Sequence, residues 1–342
     1  MTEETHMRRE VLEIPRAVAR LLDQSDREIR EAGRALRGVD PRLIVTVARG
    51  SSDHAATLVK YAIELKTGVP VASLSPSLAS IYDARLKLAQ TACIAVSQSG
   101  KSPDIVAMLD AARRDGATGL AFTNTADSPL SRGADYSIDI AAGAEKSVAA
   151  TKSFVNSAVA GLGALAYWTD DEELLAALRS LPQHLERSID CDWNAFADAL
   201  EGESSVFVLG RGPGLAIASE IALKFKETCA LHAESYSGAE VMHGPMALVR
   251  QGFPTLALAV RDKAESAIVS SVDALAKKGA ASFVTSELAG NAVRLPHVAT
   301  GHPLVDPLTL VTSFYAFVEE LARRRGLNPD EPRNLRKVTE TI

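Results

Sequence analysis

The sequence predicts an α/β protein made of two doubly wound parallel sheets. Short apolar runs alternate with helical patterns from about residue 43 onward, which is the rhythm of parallel strands joined by crossover helices. That rhythm pauses in an acidic, helical stretch at 170–200 and then restarts. The length, 342 residues, exceeds what one hydrophobic core usually serves, so two domains of roughly 150 residues are expected.

The elements follow in order. Residues 8–37 read as one long amphipathic helix, with Val18, Leu22, Ile29 and Leu36 near helical spacing and Pro15 in its first turn or at a kink. Strands are expected at Leu43–Val47, Pro70–Leu74, Thr91–Val96, Gly119–Thr123 and Tyr136–Ile140. Helices are expected at Ser52–Leu65 and Pro103–Arg114, with a nearly all-apolar, central one at Thr151–Trp168. In the second half, strands fall at Val206–Leu209, Thr255–Val260, Ala281–Thr285 and Asn291–Leu295. Helices fall at Gly214–Cys229, up to about Lys278, and at Leu308–Arg323. Ala48-Arg49-Gly50 opens one half and Gly210-Arg211-Gly212 stands at the matching point of the other, so the chain reads as a diverged duplication. The expected division is an N-terminal helix at 1–40, sheet domains at 41–185 and 186–330, and a tail at 331–342.

Composition narrows the function classes. Hydrophobic residues make up 46% and charged residues 23%, with net charge −6; this is an ordinary globular balance without the basic footprint of a nucleic-acid binder. No apolar stretch approaches a membrane span, and Met1–Glu10 is charged, unlike a signal peptide. Cys93, Cys191 and Cys229 show neither pairing nor metal-ligand spacing. Buried free thiols, a reducing compartment and a cytoplasmic location are the expectation, with no metal and no cofactor.

Ligands of open parallel sheets bind beyond the carboxyl ends of the strands. Ser97-Gln98-Ser99-Gly100-Lys101-Ser102 lies at such an end, just before a helix. Gly100 allows close backbone approach, the helix start offers free N–H groups, and three hydroxyls can donate to phosphate oxygens. The alternative is a serine-rich turn with an N-cap. Arg49-Gly50-Ser51-Ser52 also joins a strand to a helix and is expected on the same sheet edge. Lys224 and Glu227 share a helix face, either as a surface ion pair or, given apolar Ile221, Ala222, Leu223 and Phe225, as a buried carboxylate tuned for proton transfer. His243, followed by Gly244-Pro245, is a ring presented on a turn. Pro332-Arg333-Asn334-Leu335-Arg336-Lys337 reads as a basic tail.

Taken together, Ala48–Ser52, Ser97–Gly100, Ala149-Ala150-Thr151-Lys152, Ala222–Glu227, His243-Gly244-Pro245 and Pro332–Leu335 resemble the sugar isomerase (SIS) domain family. More narrowly, the set is similar to the tandem-domain isomerase half of glucosamine-6-phosphate synthase and its free-standing deaminase relatives. The resemblance runs from about Met7 to Thr341. It implies flavodoxin-like three-layer α/β/α domains. It further implies a 6-phosphate held by Ser97, Gln98, Ser99 and Ser102, with Ser52 in the same pocket, and sugar contacts from Val148 and Ala150. Glu227 is implied as the carboxylate that moves a proton between C1 and C2, with Lys224 as its partner. His243 is implied as the ring-opening histidine, supplied to a neighbouring subunit in a homodimer with shared sites, and Lys337 as a Schiff-base lysine.

Lys101 and Ala150 depart from the synthase, which has an acidic residue and a serine there. The synthase also has a glutaminase domain headed by an N-terminal cysteine, and none of the three cysteines lies near the start. The expected activity is therefore conversion of glucosamine 6-phosphate to fructose 6-phosphate and ammonia. Ammonia-dependent synthesis, galactosamine-6-phosphate deamination and fructosamine 6-phosphate deglycation are the alternatives. A non-catalytic sugar-phosphate sensor, which has no need of Glu227, His243 and Lys337 together, is the alternative of another class.

Overall fold

The structure, a computed structural model, describes residues 4–335 and 337. The elements run α1 (His6–Gln24), α2 (Asp26–Val39), β1 (Leu43–Val47), α3 (Ser51–Thr67), β2 (Val71–Ser73), α4 (Ser77–Ser80), β3 (Thr91–Val96), α5 (Pro103–Arg114), β4 (Thr118–Thr123), α6 (Pro129–Gly133), β5 (Tyr136–Asp139) and α7 (Lys152–Thr169). They continue α8 (Glu172–Ile189), α9 (Asn194–Ala199), β6 (Ser205–Gly210), α10 (Pro213–Cys229), β7 (His232–Ser237), two short 3₁₀ turns at 240–248, β8 (Pro254–Ala257), α11 (Glu265–Lys277), β9 (Ala281–Val284), β10 (Val293–Arg294) and α12 (Asp306–Arg324). Two compact units form, each discontinuous in sequence. Among the described residues, one comprises Ile14–Glu145, Lys152–Pro182 and Lys337; the other comprises residues 4–13, Lys146–Thr151 and residues 183–335.

The first of these units holds an all-parallel sheet in the order β2-β1-β3-β4-β5. The apolar runs follow from burial on both faces. Val45, Val47, Cys93 and Ala95 face Ile105, Met108 and Leu109 of α5. Phe122 lies against the other helical layer, where Gly161 of α7 leaves room for Val59 of α3. Lys152 through Ala166 of α7 are all buried, as the apolar run predicts. Its one amide, Asn156, donates from Nδ2 to the carbonyls of Ala17 and Ile140 at 3.0 and 2.7 Å, which satisfies the buried donors of that group.

The second unit repeats the arrangement in the order β10-β9-β8-β6-β7, parallel throughout. Renumbered from its own first strand, this is the same order as the first sheet. The repeat extends to backbone detail. Gly50 and Gly212, each just before a long helix, adopt φ 54°, ψ −133° and φ 58°, ψ −135°, a left-handed conformation that glycine enters without cost. Both sheets are therefore doubly wound α/β sheets, as expected.

Two expectations about elements need correction. The N-terminal helix is two helices. The chain breaks at Ser25, whose backbone leaves helical angles (φ −112°, ψ 11°) and whose hydroxyl donates to the Asp139 carbonyl at 2.7 Å. Strand β7 was not expected, because His232–Ser237 carries no apolar run. Among the described strands it is an edge strand paired with β6, and one of its six residues is fully buried.

Close approach of α2 to α7 depends on Gly33. A Cβ there would lie 2.6 Å from the Ala164 carbonyl oxygen and 2.6 Å from Tyr167 Cβ. Gly38, on the same helix, has open space. Alanine favours a helix over glycine by up to about 1 kcal/mol, while overpacking costs about 1–3 kcal/mol. Gly33→Ala should therefore lower the midpoint of urea unfolding and Gly38→Ala should leave it unchanged or raise it; the same shift in both would refute the packing argument.

Candidate functional site

The first sheet places the Ser97–Ser102 loop after β3 and the Arg49–Ser52 loop after β1. In this strand order the point between β1 and β3 is where successive connections diverge to opposite faces, which opens a crevice for ligands. Both sequence-predicted loops thus lie at the switch point. An ion pair between Arg49 and Asp104, the latter buried at the start of α5, ties the two strand ends together.

Backbone geometry shapes the 97–102 loop. Gly100 N–H donates to the Ser97 carbonyl and to Ser97 Oγ, both at 3.2 Å. Lys101 N–H donates to Ser99 Oγ at 3.3 Å. Asn124 N–H donates to the Gln98 carbonyl at 3.1 Å, and Leu130 N–H to the Gly100 carbonyl at 3.1 Å. Gly100 has φ 62°, and a Cβ there would lie 2.5 Å from Ser128 Cβ and 2.7 Å from Thr123 Oγ1; only glycine fits. Ser102 occupies the N-cap position of α5, ahead of Pro103, but its side chain makes no capping bond. Ser97 is buried, while Gln98, Ser99, Ser102 and Ser52 are partly exposed and Lys101 is exposed. The simple N-cap reading therefore leaves the Ser102 hydroxyl unaccounted for.

The second unit carries Lys224, Glu227 and His243. Its chemistry does not sit at its own switch point. Glu227 lies about four helical turns, roughly 21 Å, beyond the start of α10. Phe225 anchors this end of the helix, with its ring 4.9 Å from Phe314 and 6.2 Å from Phe196, centroid to centroid. That packing turns Lys224 inward, where its side chain is 0% exposed. Lys224 Nζ lies 2.5 Å from Glu227 Oε2 and 3.3 Å from Glu220 Oε1. Glu220 is itself wholly buried and accepts a hydrogen bond from the Tyr315 hydroxyl at 2.9 Å. Burial acts to lower the pKa of Lys224, but the Glu220 and Glu227 carboxylates outweigh it and hold the ammonium above its ordinary range.

Sequence reasoning missed Glu220. The signal was present, because Glu220, Lys224 and Glu227 at i, i+4 and i+7 share one helix face. Glu227 keeps 19% side-chain exposure and lines a cavity of ≈350 Å³ together with Lys226, Thr228, Asn328, Glu331 and Arg333. That volume suits a small polar ligand. His243 ends a 3₁₀ turn and is exposed. It is not among the described residues lining that cavity.

The segment carrying Val148 and Ala150 is fixed by a second missed residue, Glu10. Its buried carboxylate accepts from Ser147 Oγ at 2.6 Å and from the N–H groups of Lys146 and Ser147. Val148 and Ala150 are partly exposed beside this anchor. Lys337, in the first unit, pairs with Glu145 at 3.3 Å. The thiols of Cys93 and Cys229 are pushed up to about 12 and about 11, and that of Cys191 is raised, in each case by burial first. Among the described residues no cluster of three or more His, Cys, Asp or Glu could hold a metal ion, and no helix is long and apolar enough to cross a membrane.

Comparison with known proteins bears on this geometry. The family model described as the SIS domain matches residues 39–166 and 199–323, one match for each sheet. A glutamine–fructose-6-phosphate aminotransferase (isomerizing) of Symbiobacterium thermophilum is 34% identical over 315 residues, covering 86% of this chain and 51% of that protein. The chain thus spans about half the length of the curated relatives it matches. A solved structure from Silicibacter pomeroyi DSS-3, provisionally named a phosphosugar isomerase, is 54% identical with a TM-score of 0.93, covering 96% of this chain and 100% of that one. The C-terminal domain of a glucosamine-fructose-6-phosphate aminotransferase from Francisella tularensis shares the fold, with a TM-score of 0.82 at 23% identity over 97% of this chain and 99% of that one. With two matched domains that coincide with its two parallel sheets, the chain belongs to the SIS domain family.

Proposed function

We propose that this chain is an aminosugar-6-phosphate isomerase and deaminase, converting glucosamine 6-phosphate to fructose 6-phosphate and ammonia. The observation that carries the reading is the Lys224–Glu227 pair: a wholly buried ammonium holds a carboxylate that still reaches a ligand-sized cavity. A surface ion pair would bury neither partner.

Each group takes its part by its chemistry. The hydroxyls and N–H groups of Ser97, Gln98, Ser99 and Ser102 bind the phosphate, with Ser52 beside them. Val148 and Ala150 contact the sugar. His243 moves a proton between the ring oxygen and O1 to open the ring. Glu227 takes the proton from C2 of the open aldehyde and returns one to C1, which leaves an imine at C2. Lys337 exchanges with that imine nitrogen, and water completes the release of the ketose. The carbonyl and imine serve as the electron sink. The names of the relatives support a fructose 6-phosphate series.

The direct assay offers glucosamine, galactosamine and fructosamine 6-phosphates in turn and detects ammonia and ketose phosphate together. Glucosamine 6-phosphate should yield both in equal amounts; no ammonia from any member of the panel would refute deamination. Glu227→Gln should keep substrate affinity yet slow exchange of the C2 proton with solvent deuterium by at least ~10²-fold, the usual contribution of a placed acid–base group. An active Gln variant would return Glu227 to the rank of an ion-pair partner.

The cradle is tested separately. Ser99→Ala combined with Ser102→Ala removes hydrogen bonds that contribute ~1.5–3 kcal/mol each when the acceptor is charged. KM should rise at least tenfold with kcat little changed. Wild-type KM in the double variant would show that the phosphate binds elsewhere.

A further inference from the structure

Glu145 is absent from every motif so far, yet its side chain is 0% exposed and accepts hydrogen bonds from Ser153 and Lys337. Ser153 N–H, in the first turn of α7, donates to Oε1 at 3.2 Å, and Ser153 Oγ donates to Oε2 at 2.7 Å. Lys337 Nζ reaches the same Oε2 at 3.3 Å while its own side chain stays 26% exposed. A buried carboxylate persists only where charge and hydrogen bonds compensate its lost hydration. Here the start of α7 supplies two donors and the favourable end of the helix dipole, and Lys337 supplies the cation. Glu145 is thereby fixed by a rigid element, and it fixes in turn the nitrogen of a lysine that follows the last helix.

We propose that Glu145 is the positioning counter-ion of Lys337, holding Nζ in place as an ammonium and stabilising the iminium that Nζ forms with a keto sugar phosphate. This rests on the Schiff-base part of the functional reading above. The charge balance favours it. When the Lys337 ammonium condenses with a C2 carbonyl, a C–N bond forms, one water leaves, and the single positive charge remains on the same nitrogen. A carboxylate 3.3 Å away therefore complements both the resting and the covalent state. A purely structural carboxylate would have no effect on that covalent step.

The test uses the full chain with fructose 6-phosphate and borohydride, which reduces an iminium to a stable secondary amine located by peptide mass spectrometry. Wild type should be trapped at Lys337. Glu145→Gln, which keeps the shape and the acceptor for Ser153, should be trapped at least tenfold less at unchanged affinity for the sugar phosphate. Equal trapping would overturn the proposal. Ser153→Ala serves if the Gln variant fails to fold; it frees one side of the carboxylate and should reduce trapping severalfold, and wild-type trapping there would count against the idea. Should wild type itself not be trapped at Lys337, the Schiff-base reading fails, and amine labelling decides the positioning claim. Acetylation of Lys337 relative to exposed Lys101 should rise severalfold in Glu145→Gln, and an unchanged ratio would refute it.

Discussion

The buried ammonium of Lys224 is the constraint on which the proposed chemistry depends. An isolated ammonium removed from water costs several kcal/mol, so it persists only with counter-charges in close contact. Glu220 and Glu227 provide them from the same helix, one turn before and one turn after. The arrangement requires α10 to run unbroken through this point, and the Phe196, Phe225 and Phe314 cluster holds it there. Glu220, with the Tyr315 hydroxyl on its other side, is the wholly buried member. Glu227 is the member left at the cavity. It stands near the C-terminal end of its helix, where the helix dipole disfavours a carboxylate, so Lys224 offsets an unfavourable local field as well as satisfying its own charge.

Duplication supplied two equivalent sheets, and the copies use different parts of them. In the first, the loops after β1 and β3 occupy the switch point, with Gly100 packed where no side chain fits and Arg49 tied to Asp104. In the second, the corresponding turn keeps the Gly212 conformation of Gly50, but the ionisable cluster has moved to the far end of the following helix. Strand order and the entry turn are thus what the copies share, whereas the polar clusters stand at different places in each.

Legibility followed the same division. The strands buried on both faces were readable, because burial demands continuous apolar runs; Thr91–Val96 and the helix Pro103–Arg114 lie where the pattern put them. The edge strand His232–Ser237 was not, because one-sided pairing permits polar residues. The break at Ser25 coincides with a hydrogen bond to a carbonyl more than a hundred residues away, which no local pattern reveals. The candidate groups with motifs, Ser97–Ser102 and Lys224 with Glu227, were readable as chemistry. Their supports were not. Glu10 and Glu145 act on residues far along the chain, and their burial is invisible until the fold exists. Glu220 is the exception, since its spacing from Lys224 was already on the page of the sequence.

The central claim is that the Lys224 ammonium makes Glu227 a working base. Replacing Lys224 by Met and Glu220 by Gln together removes the wholly buried cation and its wholly buried counter-charge, and leaves Glu227, at the cavity, as the one carboxylate of the three without its partner. The decisive measurement is incorporation of solvent deuterium into fructose 6-phosphate, followed by NMR in this folded double variant. The account predicts exchange slowed by at least ~10²-fold; exchange at the wild-type rate would contradict it.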